Sequence, residues 1–312
     1  MNLLSAIVCR ASGLLYDLMR SSFPPVVRIE TTNACNARRV ICPHRTMGRA
    51  IAHMEEPLFC RIADECAENS CEEIHLHNFG EPLLDRRLED RIRYIKESGH
   101  SKVKFFSNGA LLKEDRIRGL IDAGLDEIKI SIDGADREEF ERIRYPLKFD
   151  RVVGNIRRLS DIRNELKSPL KITVACCSTK DKSTTMQMLE AAVDKFSFGK
   201  IHNWASQDYA QPAGGIRKPC SRLWRTFTIL ANGDVSLCYL DYDGQQLLGR
   251  VDEETRIRDI WNGEVYRRLR GLHKRGRQSE IHLCSNCTKS FLSRREGVAG
   301  EERIAGTRRT GG

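Results

Sequence analysis

Residues 26–44 join a β-branched run to a loop that contains two cysteines, Cys35 and Cys42. Three thiolates spaced C-x3-C-x2-C on one loop can each ligate one iron of a [4Fe–4S] cube and leave the fourth iron open. The loop nearly has this pattern, because Arg39 stands where the middle cysteine belongs. A guanidinium stays protonated and offers only hydrogen-bond donors, so Arg39 cannot ligate iron. The sequence therefore predicts a strand that leads into an iron–sulfur loop with an incomplete ligand set.

Length and charge restrict the class of protein. The 312 residues suffice for one large α/β domain and a small second unit. No apolar run approaches the ~18 residues of a membrane span, so no transmembrane segment is predicted. The net charge of +9 is concentrated in residues 267–312, which hold twelve Lys/Arg against four Glu. Because no nucleic-acid-binding motif accompanies this basic tail, we expect a solvated terminus and no nucleic-acid partner.

The twelve cysteines favour metal ligation over disulfides if the chain stays in a reducing compartment. The amino terminus lacks the basic region and the small-residue cleavage site of a secretory signal. We therefore expect a cytoplasmic protein whose closely spaced cysteines bind metal. Five other cysteines lack compact spacing and fit a core role better: Cys60, Cys66, Cys71, Cys176 and Cys177.

Strand-like runs alternate with helical patterns along the first two thirds of the chain. Strands are predicted at residues 26–31, 73–79, 103–107, 127–132, 170–175 and 200–204, with helices that include 84–98 and 151–166. This alternation predicts an α/β fold with a parallel sheet, whose functional residues lie at the carboxyl ends of the strands. An amphipathic helix is predicted within residues 1–20, before the first of these strands. Its apolar face is expected to pack on the main domain, with a membrane surface as the alternative.

A second unit follows a linker at residues 209–219, which contain two Pro and two Gly. Apolar runs at 227–230 and 235–238 flank the turn Asn232-Gly233 and predict a β-hairpin, and a helix is predicted over 256–269. Two separated cysteines and one C-x2-C pair complete the unit. Their four thiolates form a full ligand set for a cluster or for a zinc ion. The four residues are Cys220, Cys238, Cys284 and Cys287.

Taken together, these motifs resemble the radical S-adenosylmethionine (SAM) superfamily. The resemblance rests on the cysteine loop, on Gly80-Glu81 within NFGEP after the second strand, and on residues 220–287, which resemble a truncated SPASM or "twitch" domain. It implies a partial (β/α)6 barrel followed by a small α+β iron–sulfur domain. The implied domains are residues 1–25 (helix and linker), 26–208 (barrel), 209–293 (auxiliary-cluster domain) and 294–312 (a basic, disordered tail).

The resemblance also implies the cofactors and the residues that bind them. SAM would be contacted by Gly80 and Glu81, and the ends of the third and fourth strands would face its ribose or the substrate through Ser107, Asn108, Ser131 and Asp133. One [4Fe–4S] cluster, with an incomplete ligand set, would bind Cys35 and Cys42. One auxiliary [4Fe–4S] cluster would bind Cys220, Cys238, Cys284 and Cys287. No catalytic residue is assigned. His75 and His77 either line the barrel interior or simply pack, whereas residues 202–204 are better candidates for lining a substrate cavity.

The implied function is hydrogen abstraction by a 5′-deoxyadenosyl radical from a small polar metabolite or sugar derivative, with net oxidation assisted by the auxiliary cluster. An electron donor such as flavodoxin or ferredoxin would be a partner. Only twenty-five residues precede the first strand, so we expect no leader-peptide-binding domain, which favours a metabolite over a peptide. Two alternatives remain: a non-catalytic iron–sulfur or zinc-binding scaffold, and a peptide- or RNA-modifying enzyme of the same superfamily.

Arg39 admits two explanations. Arginine and cysteine codons can differ by one base, so Arg39 is either an isolated lesion in an otherwise intact enzyme or a sign that the loop has been abandoned. The persistence of the flanking cysteines, of Gly80-Glu81 and of all four distal cysteines favours the lesion.

Overall fold

A computed structural model of the chain describes residues 3–134, 136–177, 183–199, 203–205, 215–292 and 301–303. Its strands form one mixed sheet in the order β10-β6-β5-β4-β3-β2-β1-β7-β8-β9. The strands are β1 Val26–Ile29, β2 Glu73–His75, β3 Lys102–Ser107, β4 Glu127–Ser131, β5 Lys171–Cys176, β6 Lys195–Phe198, β7 Thr226–Ile229, β8 Asp234–Ser236, β9 Leu247–Arg250 and β10 Glu301–Arg303.

Helices connect and cover these strands. They are α1 Leu3–Leu18, α2 Glu56–Glu68, α3 Leu88–Ser98, α4 Glu114–Asp122, α5 Arg137–Ile143, α6 Phe149–Glu165, α7 Ser183–Leu189, α8 Ile257–Asn262, α9 Glu264–Lys274 and α10 His282–Ser285. Neighbouring strands from β1 to β6 are all parallel, and β7 joins the other side of β1, also in parallel. The predicted α/β fold with a parallel sheet and a small carboxyl-terminal unit is therefore confirmed, and both parts share one continuous sheet.

The first five predicted strands are confirmed, although β2 ends at His75 rather than at residue 79 and the bounds of the other four differ by one or two residues. The apolar face predicted for residues 151–166 is also buried, on α6. For the described part of the predicted sixth strand, Asn203 and Trp204, the prediction is wrong. Residues 195–198 pair with β5 instead, whereas Trp204 has a positive φ of 44° and lies in a turn. Residues 200–202, including His202, lie outside the described residues.

Two predicted helices have different limits. Residues 82–84 form a short 3-10 turn, and α3 begins only at Leu88. The predicted helix at 256–269 is two helices, α8 and α9, which meet at Gly263. The φ and ψ of Gly263, −68° and 169°, are extended rather than helical, so the chain changes direction at this residue.

The amino-terminal helix packs on the protein with the face opposite to the one predicted. Ser5, Cys9 and Gly13 are buried, and a Cβ on Gly13 would come within 2.4 Å of Lys274 Cγ on α9. Small side chains allow this close approach between helices. The apolar side chains are the exposed ones: Leu3, Leu4, Ile7, Leu14, Leu15 and Leu18. Within the described part of the chain, no helix is both long enough and apolar enough to cross a membrane.

The carboxyl-terminal unit has an aromatic core. Trp261 is fully buried, and its ring centroid lies 5.1 Å from that of Tyr266 and 6.3 Å from that of Phe227. The guanidinium of Arg270 lies 4.3 Å from the Trp261 ring centroid, and Trp261 Nε1 donates to the carbonyl of Ser21 at 3.1 Å. Trp261 therefore connects both helices of this unit to the segment that precedes β1.

Replacement of Trp261 tests how much the aromatic core of the carboxyl-terminal unit contributes to stability. We expect Trp261→Ala to lower the free energy of unfolding by about 3–5 kcal/mol, because a large apolar side chain is removed from a packed site. Urea unfolding followed by circular dichroism measures the change. The control is Val265→Ala, whose side chain is 45 % exposed on the same unit and should have little effect. Equal midpoints for the two variants would contradict this account.

Candidate active site and auxiliary metal centre

A cavity of about 390 Å³ opens at the carboxyl ends of the parallel strands. Its wall combines the cysteine loop with the residues that follow β2, β3 and β4. Seven of the predicted barrel-site residues line it, namely Cys35, Cys42, Gly80, Glu81, Ser107, Asn108 and Ser131. Asp133 lies next to this wall but does not line the cavity. The fold thus brings together residues that are nearly one hundred positions apart in the sequence.

Glu81 is buried, and its carboxylate joins the ends of β2 and β3. It accepts hydrogen bonds from Ser107 Oγ at 2.8 Å, from the Asn108 amide at 2.7 Å and from the Leu83 amide at 3.1 Å. Burial raises the pKa of Glu81, although these three donors oppose the shift. The Glu81 amide also donates to the carbonyl of Ala34 at 2.7 Å, which fixes the motif against the cysteine loop.

Gly80 has a positive φ of 118°, which favours glycine. A Cβ at this position would lie 2.5 Å from the Thr32 carbonyl oxygen and 2.8 Å from that of Ala34. The close approach of the cysteine loop therefore already explains the glycine. A contact between Gly80 and SAM stays a prediction.

Asn108 connects β3 to the cysteine loop from the other side. Its Nδ2 donates to Asn36 Oδ1 at 2.7 Å, and its Oδ1 accepts from the Ala110 amide at 3.0 Å. Trp204 covers the loop, since its Nε1 donates to the Ile41 carbonyl at 3.1 Å. The prediction that residues 202–204 line a cavity thus fits Trp204. Asn203 is buried and contacts the carboxyl-terminal unit instead, through the Asn286 carbonyl.

The thiols of Cys35 and Cys42 face the cavity, and the cysteine loop has no third cysteine to join them. Burial raises the pKa of Cys35 to about 11, and the nearby thiol of Cys42 adds to the shift. Burial also raises the pKa of Cys42, while the cations of Arg39 and Arg144 act in the opposite direction. These groups do not fit a cluster that requires three thiolates from one loop.

Arg39 is held in an ion-pair network beside these thiols. Its Nε lies 2.7 Å from Asp133 Oδ2, and Arg144 Nη2 donates to the same oxygen at 2.6 Å. The Cys177 amide donates to Asp133 Oδ1 at 2.8 Å. Burial opposes ionisation of Asp133, but Arg144 and Arg39 hold its pKa below the usual value. The Asp133 carboxylate is thus used within the protein, and its predicted role toward SAM or the substrate stays a prediction.

The sequence did not identify Arg144 or Cys177 as site residues. Arg144 follows α5 and carries no motif, and Cys177 had been assigned to the core. The thiol of Cys177 hydrogen-bonds to Arg39, so it lies beside the cysteine loop. Cys66 and Cys71 interact with each other in the core, as predicted for cysteines without compact spacing. His44 lines the cavity, with its Nε2 donating to the Asn33 carbonyl at 2.7 Å.

The four distal cysteines are neighbours in the carboxyl-terminal unit. Burial raises the pKa of Cys284 well above its usual value, and the charges of Cys220, Cys238 and Cys287 raise it further. Burial likewise raises the pKa of Cys238 to about 12, with Cys220 as the next cause. Thiols must lose their protons to bind metal, and a metal centre supplies the positive charge that stabilises four thiolates at close range.

The surroundings of these thiols fit a cluster. Four thiolates are a complete ligand set for a [4Fe–4S] cube, because each thiolate ligates its own iron. Arg217 donates to the Cys284 carbonyl at 3.3 Å, and Arg222 hydrogen-bonds to Cys220, so two cations lie beside these cysteines. All twelve cysteines of the chain are free of disulfides.

Comparison with known proteins agrees with this geometry. The description "Radical SAM superfamily" matches residues 29–196, and "SPASM: Iron-sulfur cluster-binding domain" matches residues 220–288. An uncharacterized protein of Methanocaldococcus jannaschii is 33 % identical over 133 residues, which are 41 % of each chain. A probable GTP 3′,8-cyclase of Saccharolobus solfataricus is 32 % identical over 139 residues, 44 % of each chain. The matched region spans less than half the length of these curated relatives.

Solved structures share the fold at low identity. The BtrN complex with AdoMet and 2-DOIA has a TM-score of 0.65 at 19 % identity, covering 89 % of this chain and 98 % of that one. SuiB of Streptococcus suis bound to the precursor peptide SuiA has a TM-score of 0.67 at 13 % identity, covering 89 % and 72 %. The two matched domains imply SAM and a [4Fe–4S] cluster for the barrel and auxiliary iron–sulfur binding for the second unit, as predicted. The chain belongs to the radical SAM superfamily and carries a carboxyl-terminal SPASM domain.

Proposed function

We propose that the barrel cavity binds SAM together with a small polar metabolite or sugar derivative, and that the four distal cysteines bind one auxiliary [4Fe–4S] cluster. The reaction that this arrangement would serve, once a third ligand joins Cys35 and Cys42, is a net oxidation that begins with hydrogen abstraction. The observation that supports the proposal is the convergence of the cysteine loop, Gly80-Glu81 and Ser107-Asn108 on one cavity. A cluster held by that loop would supply the electron for reductive cleavage of SAM.

The residues of this chain would bind, orient and shield the reactants. Glu81 offers a buried acceptor for the SAM amino group, and Asn108 holds the cavity wall against the cysteine loop. Trp204 and Phe79, whose ring centroids lie 5.6 Å apart, cover the site and would exclude water from a reactive radical. The four distal thiolates leave no open iron, so the auxiliary cluster is better suited to accept an electron than to bind substrate.

The partners and the location are part of the same proposal. An enzyme of this superfamily needs a reductant and a substrate, and flavodoxin or ferredoxin has the chemistry to supply the electron. A cytoplasmic location fits twelve cysteines without disulfides.

One specific observation favours a second candidate, a barrel that no longer performs radical chemistry. Arg39 occupies the position of the middle cysteine and forms an ion pair with Asp133. Two thiols and one guanidinium do not provide the three thiolate ligands, so the protein with Arg39 is expected to lack the SAM-bound cluster. The four distal cysteines are unaffected by this change.

The auxiliary centre can be tested independently of the barrel. Replacement of Cys220, Cys238, Cys284 and Cys287 by Ala should remove about four irons and four sulfides per chain from anaerobically purified protein. Cys60→Ala, on α2 and outside both cysteine groups, is the control and should leave the content unchanged. If the metal is zinc, or if the iron content stays the same in the quadruple variant, the auxiliary-cluster assignment is wrong.

SAM binding can be tested at Glu81. Glu81→Gln preserves size but presents an amide group to donors that need a carboxylate, so SAM affinity should fall about tenfold, equivalent to about 1.4 kcal/mol. Isothermal titration calorimetry measures the affinity, with Glu97→Gln, on the outer part of α3, as the control. Because three backbone and side-chain donors depend on Glu81, thermal unfolding must first show that the variant is folded. Equal affinities would place the SAM site elsewhere.

Arg39→Cys tests the activity directly. The change restores the third thiol, while Asp133 keeps its bond to Arg144 and to the Cys177 amide. We expect the variant to gain about four irons and to cleave SAM reductively to 5′-deoxyadenosine, whereas the chain as written does neither at a comparable level. Arg38→Cys is the matched control, since it adds a thiol at the neighbouring, exposed position.

Two outcomes would contradict this expectation. If the chain as written already cleaves SAM, another ligand completes the site, and Cys177→Ala and His44→Ala identify which one. If Arg39→Cys remains inert after full reconstitution with iron and sulfide, the barrel is no longer a radical enzyme.

A further inference from the structure

Two lysines on the barrel strands are paired with carboxylates of neighbouring or the same strands, whereas, in the part of the chain that the structure describes, Arg28 on β1 is not. Lys104 Nζ lies 2.6 Å from Glu73 Oε2, and Lys129 Nζ lies 3.5 Å from Glu127 Oε1. Arg28, on β1, lies in register with His75 on β2 and lines the cavity. Among the described residues, no carboxylate lies within ion-pair distance of Arg28. Arg28 is therefore a cation of the cavity wall that no described carboxylate pairs with.

The neighbours of Arg28 accept hydrogen bonds from its guanidinium but carry no negative charge that would neutralise it. Its Nη1 lies 2.6 Å from His77 Nε2, and its Nη2 lies 3.3 Å from His75 Nδ1. Burial lowers the pKa of His75 to about 4 and that of His77 well below its usual value, so both imidazoles are neutral and accept from the guanidinium. His75 Nε2 in turn donates to Glu73 at 2.9 Å, which fixes its tautomer.

Arg28 and a second cation share one aromatic ring. The guanidinium carbons of Arg28 and Arg222 lie 4.9 and 4.5 Å from the ring centroid of Tyr239, which also lines the cavity. The charge of Arg222 disfavours that of Arg28, so the two cations repel each other across this ring.

Both cations interact with the distal thiol of Cys238, and Arg222 also hydrogen-bonds to Cys220. Arg222 therefore has the closer link to the auxiliary centre. Arg217 and Lys289 also lie beside this centre. Arg28 is bonded instead to the two histidines of β2, on the wall of the barrel. An unpaired charge in a partly buried cavity is unfavourable unless an anion joins it.

We propose that the substrate of the barrel cavity is an anion, a small metabolite that carries a carboxylate or phosphate group, and that Arg28 binds this group. The inference deepens the proposed function and rests on it in one respect, namely that SAM occupies the other end of the cavity, beside Glu81. A guanidinium suits both anions, because its planar set of donors matches two oxygens of either group. Arg28 is thus a specificity-determining residue for the anionic group.

The experiment uses the smallest probes that carry each group. Inorganic phosphate and acetate are titrated into the full-length protein at fixed ionic strength, with acetamide as the neutral counterpart of acetate, and binding is followed by calorimetry. Both anions should bind more tightly than acetamide. Arg28→Gln should weaken anion binding at least about tenfold, because a charge-assisted hydrogen bond is lost. Preference for phosphate indicates a phosphorylated metabolite, and preference for acetate indicates an acid.

Two further variants keep the test decisive. Arg28→Lys retains the charge but not the planar donors, so it should bind the anions more tightly than Arg28→Gln and more weakly than the original protein. It also supplies the comparison if Arg28→Gln does not fold. Arg158→Gln, on the exposed surface of α6, should leave anion binding unchanged. Equal anion affinity in all variants, or no preference for the anions over acetamide, would overturn the proposal.

SAM affinity, measured in the same variants, separates this inference from the proposed function. It should be unchanged in Arg28→Gln. A parallel loss of SAM affinity would assign Arg28 to the SAM carboxylate and overturn the role proposed here. If SAM does not bind at all while the anions still require Arg28, the proposed function fails and the anion site stands.

Discussion

The buried carboxylate of Glu30, directly after β1, joins the three segments on which the site depends. It accepts two hydrogen bonds from Arg49, at 2.7 and 2.9 Å, and single bonds at 3.2 Å from the amides of Phe79 and Ala231. A buried charge is stable only with such a set of donors. Through Glu30, the loop after the cysteines, the segment before Gly80 and the hairpin of the SPASM domain are held at one end of β1. The cavity and the auxiliary centre therefore share one anchored strand.

The sequence predicted best where one local signal determines the structure. Apolar runs identified β1 to β5. The spacing of the four distal cysteines around a hairpin predicted a group, and these cysteines are neighbours in the structure, while their ligation of a cluster stays a prediction. The sixth strand was misplaced because residues 200–204 are as strand-like as 195–198, and only pairing with β5 distinguishes them. The exposed apolar face of α1 could not be predicted either, since helical periodicity does not reveal which face a neighbour covers. Arg144 and Cys177 reach the site through tertiary contacts that leave no local pattern.

The environment of Arg39 explains how the protein tolerates a cation in a cysteine loop. Asp133 is buried and already bonded to Arg144, and it has room for a second guanidinium on the same oxygen. Arg39 therefore avoids the cost of an unpaired buried charge, and an arginine at this position requires no different fold. An isolated lesion here would accordingly carry little penalty in folding.

The charges of the cavity differ between its two ends, and this difference bears on how two ligands would share it. Glu81 lies at the end formed by β2 and β3, where Arg39 and Arg144 are paired with Asp133, whereas Arg28 and Arg222 lie at the end that faces the SPASM domain. SAM carries a sulfonium and an amino group, so its cationic part is favoured near Glu81 and disfavoured near the arginines. An anionic substrate has the opposite preference. The same difference in charge would thus orient both molecules, with the anion at the end of the cavity that faces the SPASM domain.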